Sequence, residues 1–413
     1  MTEVVTETPV RTRWMVAYAL AMIGVAAGWF GPIQILLPEH AARLAGEGGK
    51  ESLLALVTAV GAGASLIANP LWGVLSDRMG ARRRPIFVAG TVIGVAGLLV
   101  LSAADSRALM MTGWVLVQVG LNGPLAALAA MIGDRVPERQ RGTVGALFGV
   151  AQIVGVVLGT ALAVAVGQGA PGYIAVAVAV PALGAALLLL RDGRDGRDGR
   201  DGRDGHDGSG VARVAAGPTN WSVLLRPGAQ FAWAWLIRFL LNLVNALVLV
   251  YLFYYLSDRV GVTDAATWVL ILTVVNVLFA GLFGFAGGVL SDRWQRRKVF
   301  VVAAGVILAA GTTLMALFPV VAVVIVASVL VGAGWGAYVA VDMAVITHVL
   351  PDAETRATML GVANIAGTLP QLLAPVVAAP IVTRLGGYPA LYLLTAGFAV
   401  LALLCLPRLK ALS

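Results

Sequence analysis

Apolar runs long enough to cross a bilayer follow one another along most of this chain. They lie near residues 14–37, 52–76, 85–104, 108–133, 142–167 and 172–190, then near 230–256, 265–290, 299–318, 320–349, 356–383 and 388–406. A helix needs about 20 apolar residues to span the ~30 Å hydrocarbon core. Backbone N–H and C=O groups in lipid must be satisfied within their own segment, so each run is expected to be a helix. Twelve such spans leave little of the 413 residues for a large soluble domain. Composition agrees, with 59% hydrophobic and 12% charged residues against about 25% charged in a typical soluble domain. A cytosolic enzyme is excluded on that ground.

The sparse polar inventory removes further chemistries. One cysteine, Cys405, leaves no disulfide framework and no multi-thiolate metal site. His40, His206 and His348 are scattered without ligand spacing. No metal and no cofactor is therefore expected. Met1 to Arg13 are polar, and the apolar run after them is too long for a signal-peptide core, so it is read as a retained span. The net charge of +8 has a topological origin. Lys and Arg gather in alternate connections: Arg11 and Arg13, Arg78 to Arg84, Arg135 to Arg141, residues 191–226, Arg293 to Lys298, Arg356, then Arg408 and Lys410. By the positive-inside rule this places both termini in the cytoplasm of a multi-pass plasma-membrane protein. No nucleic-acid partner is called for.

Between the sixth and seventh runs, Arg191 to Gly208 reads as five copies of Arg-Asp-Gly followed by His206-Asp207-Gly208. Alternating charges with glycine offer no apolar face, so the segment is expected to be a disordered tether. The domain reading is a six-helix bundle at 1–190, a cytoplasmic linker at 191–229 and a second six-helix bundle at 230–413.

A duplication links the two bundles. Gly73-Val74-Leu75-Ser76-Asp77-Arg78 recurs as Gly288-Val289-Leu290-Ser291-Asp292-Arg293, an offset of 215 residues. Arg82 and Arg83 map onto Arg297 and Lys298, and Arg141 and Thr143 onto Arg356 and Thr358. Six spans separate the copies, an even number, so the halves form a parallel repeat about an axis along the membrane normal. With these motifs the chain resembles the major facilitator superfamily over nearly its whole length. Gly73 to Arg84 is similar to that family's signature loop between its second and third helices. The copy departs from it in carrying Gln295 where Gly80 stands. Arg82-Arg83-Arg84-Pro85, with Asn69-Pro70 upstream, leans toward the sucrose-type and glycoside–cation symporter branches. The resemblance implies an all-α membrane protein of twelve helices in two pseudo-symmetric bundles. It also implies that Asp77, with Gly73, Arg78, Gly80, Arg82, Asp292 and Arg293, belongs to a cytoplasmic gate that holds the halves together. For the arginines, simple enforcement of topology is the competing reading.

Two ionisable residues lie inside spans, Arg238 in the seventh and Asp342 in the tenth. A charge near the bilayer centre costs about 2.5–3.5 kcal/mol on insertion scales, so each needs a partner or a wet cavity. Counting from the nearer span end puts Arg238 ~12 Å deep and Asp342 ~10 Å, which allows them to pair. Arg238, Asn242 and Asn245 share one helical face, as do Trp335, Tyr338 and Asp342. Trp114, Gln118 and Asn122 form a stripe on the fourth span, and Asn364, Thr368 and Gln371 another on the eleventh. Such stripes turn inward, where amides serve either interhelical hydrogen bonding or solute contact. One acid and one base do not supply the clustered groups a membrane-embedded enzyme needs, so no enzymatic activity is expected. The expectation is a monomeric secondary active transporter, working by alternating access with a coupling proton or cation and a small, sugar-like substrate. Proton-coupled export of drugs or metabolites is the alternative.

Overall fold

The computed structural model describes residues 9–79, 83–190, 228–294, 296–349 and 356–409. Among these, twelve helices are long and apolar enough to cross a membrane. In chain order they are α1 (Thr12–Ala45), α2 (Lys50–Arg78), α3 (Arg84–Ser102), α4 (Arg107–Arg135), α5 (Glu138–Val166) and α6 (Ala170–Leu189). The second set is α7 (Ala229–Val250, continuing irregularly to Val260), α8 (Ala265–Trp294), α9 (Arg297–Leu317), α10 (Val321–His348), α11 (Arg356–Arg384) and α12 (Gly387–Cys405). No strand occurs among the described residues. The fold is all-α, two six-helix bundles. The Arg-Asp-Gly segment lies outside the described residues, as do Gly80 and Arg82 and the side chains of Asp77 and Asp292.

The repeat extends to the helix ends. Lys50 and Ala265 begin their helices 215 residues apart, and each first helix of a half loses regular α geometry near the same end. In α1 the loss is a π-helical stretch, Pro32–Leu36; in α7 it is a break at Tyr251 followed by the π-helical Tyr255–Val260. Proline lacks the N–H that would continue the α pattern at position 32, and a wider turn absorbs the defect. Beyond the bulge α1 runs on through Leu37–Ala45. Glu39 and Arg43 make that extension polar, which is why hydropathy ends the first run at residue 37.

Small residues set the closest helix approaches, as expected where lipid supplies no hydrophobic drive for association. A Cβ added to Gly120 of α4 would lie 2.2 Å from the Gly94 nitrogen of α3, and one on Gly336 of α10 would lie 2.1 Å from the Ala280 oxygen of α8. In α5, Gly155 and Gly159 pack against α1, whereas a Cβ on Gly145 or Gly149 meets nothing within 4 Å. Pro370, Pro375 and Pro380 all lie within α11, which nevertheless runs unbroken from Arg356 to Arg384.

That contrast within α5 extends to the whole molecule. At the end away from the termini, here the distal end, polar groups bind the halves together. Lys50 Nζ lies 2.8 Å from Asp258 and 2.6 Å from Glu47, and its ammonium sits 5.1 Å from the centre of the Tyr254 ring. Tyr388 donates to Asp258 at 2.8 Å and lies 3.2 Å from Glu51 Oε1. Tyr251 and Tyr254 donate to the Glu51 and Pro38 carbonyls at 2.8 Å and 2.7 Å. At the terminal end, α5 from Arg141 to Ala146 is exposed except for Val144, and α8 from Gly281 to Trp294 is exposed over most of its surface. The halves therefore meet distally and part toward the termini.

Candidate functional site

Arg238 of α7 donates through its guanidinium to Asp342 Oδ2 of α10. Tyr338, one turn along α10, donates to Asp342 Oδ1 at 2.6 Å, so both carboxylate oxygens are engaged. The arginine and aspartate side chains are 11% and 13% exposed. At that burial the pairing offsets a desolvation cost of several kcal/mol per ion, and removing either partner leaves the other charge exposed to that cost. Arg238 also touches Met343 Sδ at 3.7 Å, while its Nε is buried with no hydrogen-bond partner among the described residues. On its far side the guanidinium faces α11: a Cβ on Gly367 would lie 3.8 Å from Arg238 Nη2 and 4.0 Å from Asn242 Oδ1. Asn242 donates back to the Arg238 carbonyl at 2.8 Å. The α11 stripe of Asn364, Thr368 and Gln371 is exposed.

On the distal side of this network lies a cavity of about 220 Å³ between the halves. Asn245 and Trp335 line it, and Trp335 stands against Tyr338 with ring centres 5.7 Å apart. An aromatic contact thus runs from the cavity wall to the hydroxyl that holds Asp342. Residues that sequence reasoning passed over also line the cavity: Phe30 and Gln34 of α1, Thr273 and Asn276 of α8, and Ser328 of α10. Thr273 and Asn276 sit three residues apart in an apolar helix, a weak signal that was available; Gln34 sits in the bulge, where regular periodicity gives none.

The fourth-span stripe faces elsewhere. Asn122 is 2% exposed and donates to Ser65 of α2 at 2.7 Å and to the Gln118 carbonyl at 2.6 Å. Trp114 and Gln118 pack on Gly61 of α2, where an added Cβ would lie 2.3 Å from the indole. These three residues form a seam between α2 and α4.

At the terminal end, Gly73 has open space around it and Arg78 and Arg293 are exposed. In this loop Arg83 pairs with Asp134 at the end of α4 at 2.8 Å and donates to Ser76, and Arg84 donates to the Leu190 carbonyl at the end of α6. In the second half Arg297 makes the similar tie, donating to the Ala344 carbonyl of α10 at 3.1 Å. No group of three or more His, Cys, Asp or Glu suited to a metal ion occurs among the described residues.

The sequence model of the Major Facilitator Superfamily matches residues 18–275 and 265–412. The nucleoside transporter NupG is similar in structure, with a TM-score of 0.73 at 13% identity over 97% of this chain and 100% of that one; a mutant form of it scores 0.76 at 14% over 96% and 100%. A bacterial homologue of the human lysosomal transporter Spinster, in its inward-facing occupied conformation, scores 0.70 at 15% identity over 97% of this chain and 96% of that one. No curated protein sequence matches the chain. With the family's sequence model matched along nearly the whole length, and the shared fold of membrane transporters in place, this chain belongs to the Major Facilitator Superfamily.

Proposed function

We propose that this protein is a secondary active symporter of the plasma membrane, with both termini in the cytoplasm, carrying a small neutral sugar-like solute together with a proton. The observation that carries the reading is the buried Arg238–Asp342–Tyr338 network beside a cavity lined by amides and aromatics. Its members all belong to the second half, so rocking of one half against the other does not itself pull the ion pair apart. Protonation of Asp342 does: the neutral carboxyl loses its charge attraction to Arg238, whose fork then turns toward the α11 amides. Solute and proton thereby favour the same rearrangement, and the distal clasp around Lys50 opens in the empty and the doubly loaded states but not with one of the two bound. The NupG likeness supports extending the sugar-like class to nucleosides, which join a sugar to a flat base.

Uptake into vesicles under an imposed proton gradient tests the proposal. Asp342→Asn is expected to abolish gradient-driven accumulation while leaving exchange of solute across the membrane. Unchanged rate and unchanged pH dependence would overturn the coupling role. Export of a drug-like molecule is the second reading, favoured by the largely apolar cavity lining. A volume of about 220 Å³ falls below the ~300–1,000 Å³ of pockets for drug-sized ligands, which favours the smaller solute.

A further inference from the structure

The π-helical stretch Pro32–Leu36 places Gln34 at the junction of both halves. Its Oε1 accepts from Thr160 of α5 and from Thr273 of α8 across the interface, each at 3.0 Å. One end of the carboxamide is thus committed, and the other end has no protein partner among the described residues although the side chain lines the cavity. A carboxamide offers two donors and two acceptor lone pairs, so half of its hydrogen-bonding capacity is left for a ligand. Single-turn π-bulges recur at functional sites for this reason: they aim a side chain away from the regular helical face.

Repeat symmetry sharpens the point. At the 215-residue offset Gln34 corresponds to Leu249, and Asn245 corresponds to Phe30, and all four line the cavity. Each symmetric pair is one amide and one hydrocarbon group, so these two amides come from opposite halves, with Asn276 of α8 a third amide in the lining. Among the described residues no charged side chain lines the cavity, so an ionic solute would enter without a counter-charge at a cost the site does not repay.

We propose that Gln34 is the specificity-determining residue of the cavity. With Asn245 it brackets the hydrogen-bonding edges of a small, uncharged, hydroxyl-bearing ring solute, whose flat face lies against Trp335. This rests on the transport reading for its setting, and the test separates the two.

Purified wild-type protein, Gln34→Leu and Gln34→Asn are compared for thermal stabilisation by uridine, glucose, uridine monophosphate and gluconate, and for vesicle uptake of the same probes. The ligand-free melting temperature of each variant shows that it is folded; where Gln34→Leu does not fold, Gln34→Asn carries the comparison. The expected result is stabilisation by a neutral probe and not by its charged counterpart, with affinity falling roughly tenfold in the variants. Equal stabilisation of wild type and folded variants, preference for a charged probe, or no stabilisation by either neutral probe overturns the proposal. Gln34-dependent binding without uptake leaves it standing and overturns the transport reading instead; uptake indifferent to Gln34 does the reverse.

Discussion

At the 215-residue offset, Arg238 corresponds to Ile23, Asp342 to Ala127, Tyr338 to Gly123 and Asn242 to Ala27. The two halves repeat one backbone plan and put it to different uses. Where α10 carries Trp335 and Tyr338, α4 carries Gly120 and Gly123, which press against α3 and the Trp72 ring of α2. The first half converts those positions into close packing and an amide seam; the second leaves them large, polar and next to a cavity. The repeat presents one scaffold twice, and the Arg238–Asp342 pair stands in one copy alone.

The sharpest way to break this comparison is to strip the charge from the second half. Arg238→Leu alone is expected to destabilise the protein by about 3–5 kcal/mol, since it strands the Asp342 carboxylate. The double variant Arg238→Leu, Asp342→Leu recovers much of that loss in thermal unfolding. At the first-half counterpart, Ile23→Leu costs less than about 1.5 kcal/mol. Equal losses at the paired positions would show that the asymmetry has no energetic content.

Next in size is the clasp between the halves. Lys50→Met removes a buried ammonium, its side chain only 4% exposed, from Glu47 and Asp258. Hydrogen bonds to charged groups contribute about 1.5–3 kcal/mol, so the distally open population should rise roughly tenfold or more. Distances between spin labels at Gly48 and Thr263, on distal loops of opposite halves, report it; an unchanged distribution refutes the clasp. A smaller effect separates two asparagines. Asn122→Ala should lower stability by about 1 kcal/mol without changing solute affinity, because it leaves Ser65 unpartnered in a seam. Asn245→Ala should change affinity and barely change stability.

The smallest effect belongs to a helix start. Asp264 accepts from the Thr267 N–H at 3.0 Å, and the hydrogen bonds from Thr267 hold its carboxyl below the usual range. A depressed carboxylate stabilises above its unfolded-state range and loses that contribution as pH falls through the folded one. Asp264→Ala should therefore cost about 0.5 kcal/mol at neutral pH in a melting experiment, and less in acid.

Span positions and the repeat were legible because bilayer thickness and backbone satisfaction leave few alternatives. Shared depth brought Arg238 and Asp342 within reach of each other on the same reasoning. Helical spacing, however, tells which residues share a face and not what that face meets. The stripes of Asn122 and Asn245 look alike in sequence, yet one faces α2 and the other a cavity. Gln34 was invisible for a different reason, since a π-bulge breaks the 3.6-residue register that the reading relies on. The clasp escaped because Lys50, Glu51, Asp258 and Tyr388 sit at span ends, where charge is ordinarily solvated and only tertiary packing buries it. Arg83 looked like one topology arginine among several until Asp134 stood beside it.

Proton uptake by the purified protein on addition of the solute that vesicles accumulate, followed with a pH indicator, tests the central claim most directly. The account predicts uptake in the wild type and in Ile23→Leu, and none in Asp342→Asn. Undiminished uptake in Asp342→Asn would contradict it.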